Sequence, residues 1–303
     1  MYNNSQLLAA IIIVNYNSME LTAKCAQNLD TSNNTLPIVV VDNQSSDQSY
    51  KYLRETFNNS KNVHIILSPK NGGYSSGNNF GIRWIQKEYG SPCFYIIMNP
   101  DVIVSVETIQ YLCQRASKYS DIAMIAPVML LNGMFNTDSL PWQIPSNKEL
   151  VTHFRKWTKT KSLHNYKYIG DDLVETETLP GSFFVVKSTI FEDIGLFDEN
   201  VFLYNEENIL GIKLREKGYR CALDISKHYY HNHLDNDKKS IQYRYKHCYS
   251  NIINNYNSGF QSRIYLCEKY YNNNGKSRIL IIDKINRLLI YVKHLCACII
   301  CKE

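Results

Sequence analysis

Short apolar runs set the frame of this chain. Ala9 to Val14, Ile38 to Val41, Val63 to Leu67 and Phe94 to Met98 are nearly uninterrupted, with no polar alternation. Strands buried on both faces read this way, as in a parallel sheet covered by helices. Helices are predicted over about Glu20 to Leu29, Asn79 to Glu88 and Thr108 to Tyr119. Ile122 to Pro127 and Cys221 to Ile225 read as further short strands. This order of strand, loop, helix and strand predicts an α/β fold with a doubly wound sheet. Glu206 and Glu207 open a short helix that stops at Gly218. Acids suit the positive end of a helix, and glycine suits its termination. The bulky run Val201 to Tyr204 precedes those acids and is expected to anchor them at a cleft. From Ser240 onward the pattern is helical, with Ile281, Ile285, Leu288, Leu289, Val292 and Leu295 recurring at three and four.

Polar residues gather where the strands end, which is where open α/β sheets bind ligands. Asn15-Tyr16-Asn17-Ser18 follows the first strand, and Asp42-Asn43-Gln44-Ser45-Ser46-Asp47 closes the second. Asp42 is either a turn residue or an acceptor for the imide N–H of uracil or thymine. Asn71 to Gly81 is rich in glycine and small polar residues and leads into a helix, whose free N–H groups favour phosphate. It has no P-loop lysine. Asp101 lies just past the fourth strand, in Asn99-Pro100-Asp101. Magnesium is commonly held by one or two carboxylates plus substrate phosphates. A carboxylate such as Glu207, held at a cleft, is a candidate general base.

Several stretches resemble the inverting family 2 glycosyltransferases of GT-A fold. They are Ile13 to Ser18, Val39 to Asp47, Asn71 to Gly81, Asn99 to Asp101, Gly195 to Glu199, Phe202 to Glu207 and Leu214 to Tyr219. The resemblance spans roughly Ala9 to His233. It implies a nucleotide-diphosphate sugar donor held by Val14, Asn15, Tyr16, Asn17, Asp42, Asn43, Gly73, Asn78, Asn79 and Asn99. It implies Mg²⁺ or Mn²⁺ at Asp101 and His231, with Ser240 a distant further candidate. It implies a base at Glu207, with Glu206 beside it. The family has aspartate where this chain has Glu207, and a later family acid is Ile209 here. The Asn-Pro-Asp form is similar to rhamnosyltransferase-like members, which suggests dTDP-rhamnose. A nucleotidyltransferase and a non-catalytic sugar-nucleotide or membrane-binding protein stay open beside this reading.

The expected layout is a catalytic domain over 1–235 and a helical, basic extension over 236–303. The irregular segment of about 128–178 holds Trp142, Trp157, Arg155, Lys156, Lys159 and Lys161, and is either an acceptor surface or a hairpin without a role. Composition changes the picture mainly at the end of the chain. Net charge is +5, yet Lys238 to Glu303 holds twelve Lys and Arg against three acids. That imbalance points to an anionic partner, with membrane lipid ahead of nucleic acid. The last helix either packs on the catalytic domain or lies on a membrane surface. Nine scattered cysteines without a leader read as reduced thiols, and a zinc site among Cys296, Cys298 and Cys301 lacks a fourth ligand. His228, His231 and His233 also lack partners for zinc. Together these features suggest a cytoplasmic enzyme, peripheral on the inner membrane, with a glycan or lipid-linked acceptor and no nucleic-acid partner.

Overall fold

The computed structural model describes residues 7–135, 140–152, 167–232 and 241–300. The chain divides into two compact units. Met1–Ile144, Thr158–Glu199 and Glu206–Asn232 form the first; Pro145–Trp157, Asn200–Asn205 and His233–Glu303 form the second.

In the first unit the strands are β1 (Ala9–Asn15), β2 (Ile38–Asp42), β3 (Val63–Leu67), β4 (Phe94–Met98), β5 (Val102–Ile103), β6 (Ile122–Leu131), β7 (Met134–Phe135), β8 (Lys167–Gly170), β9 (Leu173–Thr176), β10 (Phe183–Lys187) and β11 (Arg220–His231). Its helices are α1 (Met19–Leu29), α2 (Ser49–Thr56), α3 (Gly73–Tyr89), α4 (Val106–Ser117), α6 (Ser188–Asp193) and α7 (Glu206–Glu216), while α5 (Asn147–Thr152) belongs to the second unit. One mixed sheet runs β3-β2-β1-β4-β10-β6-β11-β9-β8, with β5 on β11 and β7 on β6. The first four strands are parallel, and β10 runs against β4 and β6.

Strand alternation sends successive side chains to opposite faces. Ile11, Ile13, Val40 and Ile96 meet Ala23, Ala26 and Leu29 of α1 and Ile109 and Leu112 of α4. Ile12, Val39, Val41 and Ile97 meet Ile82 and Ile85 of α3 and Leu210 and Leu214 of α7. Both faces are covered, which is why these strands read as unbroken apolar runs.

Three elements depart from expectation. Helix α3 starts at Gly73, not near Asn79, so the glycine-rich stretch is its first two turns. Its glycines serve close packing: a Cβ at Gly77 would sit 2.9 Å from a Val14 methyl, and one at Gly81 2.9 Å from methyls of Ile12 and Val41. Strand β11 runs on past Ile225 to His231, parallel to β6. The irregular region supplies β7, α5 and the edge strands β8 and β9; Arg155, Lys156, Trp157, Lys159 and Lys161 lie outside the described residues, as do His233, Ser240 and Cys301.

The second unit holds α5, α8 (Ile241–His247), α9 (Tyr249–Tyr270) and α10 (Lys276–Ile300). Tyr245, Ile290 and Ala297 form its small core with Tyr249, Ile252, Ile253 and Tyr256. The run expected to anchor the acids does so only in part. Val201 is buried, while Phe202 and Tyr204 are exposed. Among the described residues no helix is long and apolar enough to cross a membrane.

Helix α7 is seated by a glycine. A Cβ on Gly211 would lie 2.4 Å from the Glu177 carbonyl oxygen, and backbone cannot yield as a side chain does. Gly211→Ala is therefore expected to destabilise the chain by about 1–3 kcal/mol. Urea unfolding checks this; an unchanged midpoint would mean that α7 is free to shift.

Candidate active site

The carboxyl ends of β1, β2, β4 and β11 and the start of β10 share one edge of the sheet. There the ends of β1 and β2 are knitted together. Asp42 is fully buried and accepts from Asn15 Nδ2 at 2.8 Å and from the Ser45 N–H at 2.9 Å. Thr22 Oγ1 donates to Asn15 Oδ1 at 2.7 Å. The Asn17 N–H donates to Ser45 Oγ at 3.0 Å, and the Ser46 N–H to Asn17 Oδ1 at 2.9 Å. Asp42 thus faces inward with both oxygens in use, while Tyr16, next to Asn15 in the chain, stands exposed. Val14 packs against α3 at Gly77.

Asn43 ties this turn to the start of α3, donating from Nδ2 to Asn71 Oδ1 at 3.1 Å and to the Gly73 carbonyl at 3.0 Å. Asn43 Oδ1, Ser75 Oγ and Asn78 Oδ1 are buried acceptors without a hydrogen-bond partner. Such atoms invite a donor from elsewhere. Asn79, expected to face a donor sugar nucleotide, is spent within the protein. It donates to the Phe197 carbonyl at 3.0 Å and Glu199 Oε1 at 2.9 Å, and accepts from the Phe197 N–H at 3.2 Å.

The turn after β4 is joined to β10, since the Asn99 N–H donates to the Ser182 carbonyl at 2.8 Å. The two residues expected to hold metal come together: His231 Nε2 lies 3.1 Å from Asp101 Oδ1. That distance is a hydrogen bond, and the same imidazole and carboxylate are donors of the kind that would hold Mg²⁺ or Mn²⁺. Among the described residues no third His, Cys, Asp or Glu joins them. Substrate oxygens and water would complete the shell.

Glu206 and Glu207 occupy the first turn of α7. Glu206 is buried and its Oε2 has no hydrogen-bond partner. The Glu207 carboxylate lies against Gly181, where a Cβ would sit 2.9 Å from Oε1. The Gly181 carbonyl accepts from Tyr74 OH at 2.5 Å. Tyr74, Phe184, Phe197, Leu210 and the two glutamates surround gaps too narrow to hold a water molecule. Burial pushes both carboxyls above the usual range; Glu206 is pushed further, by burial and then by the charge of Glu207. The same surroundings, with both acids, hold the Tyr74 phenol neutral. The sequence reading missed Tyr74 and Gly181. Their only signal was position: Tyr74 sits in the α3 glycine stretch, and Gly181 sits just ahead of a strand.

A carboxyl whose pKa is raised by folding binds its proton more tightly in the native state, so stability falls as pH rises above the ordinary carboxylate range. Glu206→Gln removes that loss. Its unfolding midpoint in urea should match the parent at acid pH and exceed it increasingly toward alkaline pH; parallel curves at all pH would mean Glu206 is not held neutral.

Comparison with known proteins follows the same lines. The model of the family "Glycosyl transferase family 2" matches residues 10–194. A low-salt glycan biosynthesis hexosyltransferase of Haloferax volcanii is 30% identical over 200 residues, 65% of this chain. The chain spans 58% of the length of that relative. Among solved structures, GalNAc-T7 with UDP, GalNAc and Mn²⁺ has TM-score 0.59 at 14% identity, over 77% of this chain and 45% of that one. The mannosyltransferase of Pyrobaculum calidifontis with GDP-Man and Mn²⁺ has TM-score 0.54 at 12% identity, over 98% and 87% of the two chains. These likenesses carry a GT-A-like fold, a mixed sheet flanked by helices with helices at the C-terminus. The matched family model covers well over half of the sequence, and the chain belongs to glycosyl transferase family 2.

Proposed function

We propose that this chain moves a hexosyl group from a nucleotide-diphosphate sugar to a hydroxyl of a glycan or lipid-linked glycan, inverting the anomeric centre. One observation carries the reading: the Glu207 carboxylate lies against Gly181, and Ser182, the next residue, binds the Asn99 turn that presents Asp101. A base and a cation site therefore belong to the same sheet edge.

Glu207 takes the proton of the acceptor hydroxyl. That oxygen bonds to the anomeric carbon as the carbon–diphosphate bond breaks, and the nucleoside diphosphate leaves with the electron pair. A raised carboxyl pKa suits this base, because basicity rises with pKa. Two neighbouring buried carboxyls resist ionising together, so one charged acid of the pair is expected, and the reading gives that role to Glu207. Mg²⁺ or Mn²⁺ held by Asp101 and His231 would offset charge on the diphosphate. Asn15, Asp42 and Asn43 shape the nucleotide turn, and Tyr16 offers an exposed ring for a base. Asn78 Oδ1 is open to a donor hydroxyl. The likeness to a hexosyltransferase and to structures holding UDP or GDP-Man supports a nucleotide-sugar donor, and the Asn99-Pro100-Asp101 form puts dTDP-rhamnose first. In this reading 1–235 is catalytic, 128–178 borders the acceptor, and 236–303 is an accessory extension. A lipid-linked acceptor would place the enzyme at the cytoplasmic face of a membrane.

Glu207→Gln should keep donor affinity and lower kcat by about 10²–10⁴, whereas Glu206→Gln should stay within about tenfold of the parent in kcat, since it mimics the protonated acid. In the parent, kcat/KM should fall on acidification through a pKa above the usual carboxylate range, because the base must be ionised. The reverse order of the two variants would move the base to Glu206.

A panel of UDP-, GDP- and dTDP-sugars with Mg²⁺ or Mn²⁺, scored by nucleotide release, addresses the donor. Turnover should be lost with a chelator and restored by either ion. Donor binding without release for every sugar would favour a non-catalytic binding protein, and pyrophosphate release from a nucleoside triphosphate would favour a nucleotidyltransferase.

A further inference from the structure

Helix α10 buries a side that mixes polar and apolar residues. A helix packed on a protein core normally buries its apolar stripe and exposes its charges. In α10 the buried positions are Ile279, Asp283, Asn286, Ile290 and Ala297. The polar members are bound to α9 and to α10 itself. Tyr256 OH donates to Asp283 Oδ1 at 2.9 Å, and Asn286 Nδ2 donates to Tyr256 OH at 3.3 Å. Arg287 Nε donates to Asp283 Oδ2 at 2.8 Å, and its NH1 nitrogen donates to Asn257 Oδ1 at 2.7 Å.

The other side carries Ile281, Ile285, Leu288, Val292, Leu295 and Ile299. Ile281 is 59% exposed, Leu288 61% and Ile299 66%. At about 100° per residue these six fall in a stripe roughly 80° wide. Arg278 and Lys284 stand exposed at its two edges, and Lys293, also exposed, lies farther round with its ammonium over the Tyr245 ring. The one acid of the helix, Asp283, is the buried partner of Arg287.

We propose that this exposed face of α10 is a docking surface for an anionic lipid bilayer, on which the helix lies in the plane of the interface. An apolar stripe bordered by Lys and Arg is the arrangement that inserts among acyl chains while its cations meet lipid phosphates. The helix has too many charges to span. Charge complementarity also chooses between occupants. A second copy on this face would set Lys284 and Arg278 against their own equivalents, with no carboxylate on the face to answer them. The excess of twelve Lys and Arg over three acids in Lys238 to Glu303 runs the same way. This inference stands apart from the sugar-transfer reading, since it uses none of the residues assigned there.

The test uses the full chain with vesicles of phosphatidylcholine alone, or of phosphatidylcholine with phosphatidylglycerol. Co-sedimentation is expected with the anionic vesicles, at least about tenfold weaker with the neutral ones, and weakened by added salt. The Ile285→Asp, Leu288→Asp double variant should lose binding by at least about tenfold. Both side chains are exposed, so its far-ultraviolet circular dichroism and unfolding midpoint should match the parent. A second variant, Lys284→Glu with Lys293→Glu, should lose the preference for the anionic vesicles. Absence of binding to either vesicle would overturn the proposal, as would undiminished binding by the aspartate variant. So would a dimer in light scattering that the aspartate variant dissolves, since it would give the face to a second copy.

Discussion

The antiparallel register of β10 on β4 is the constraint on which the site rests. Phe183 lies opposite Met98, so Ser182 meets Asn99 where the two strands part. From that meeting point one chain segment goes on to Asp101, and the other comes from Gly181. The Gly181 carbonyl accepts from the Tyr74 hydroxyl, and the Glu207 carboxylate lies against the same residue. A slip of one residue would turn every side chain of β10 to the other face. Phe184 and Val186 would leave the layer they share with α3 and α7, and Phe183 and Val185 would leave the opposite layer. The register is thus fixed by burial on both sides of the sheet, and the site inherits that rigidity.

Much of this was legible in the order of residues. The strand Phe94–Met98 follows the predicted bounds because burial on both faces leaves an apolar run, and Val63–Leu67 follows them as a half-covered edge strand beside β2. Glu206 marks the start of α7, and Gly218, at φ +79°, follows its end as a stop should. Asp101 and His231 are far apart in sequence yet form one pair, because β5 joins β11 with Val102 opposite His231. What was hidden depends on which side a residue faces. Glycines 73, 77 and 81 read as a loop, since the same residue serves a turn and a close helix contact. The strand β10 was legible as apolar but not as reversed in direction. In α10 the spacing gave the stripe correctly and left open which side of it would be covered.

The second unit shows how little apolar area can hold a helix when polar groups are fully used. Its core cluster is Tyr245, Ile290 and Ala297 with a few half-buried neighbours. Around it run the Asp283–Arg287 pair, the Tyr256 hydroxyl and Asn257. Arg263, buried beside this group, has its pKa lowered to about 10 by loss of solvent. Buried charges of this kind cost stability unless partnered, but they fix one arrangement among several that an apolar contact would accept. Aliphatic side chains in their place would slide; hydrogen bonds of defined direction hold α10 in one rotation about its axis.

The knot at the ends of β1 and β2 has a thermodynamic consequence. Asn15, Asp42, Ser45 and Asn17 satisfy one another before anything binds. The conformational entropy of these two loops is therefore surrendered when the chain folds, not when a small molecule arrives. Whatever rests against them meets a preorganised wall, and its affinity is not diminished by having to order it.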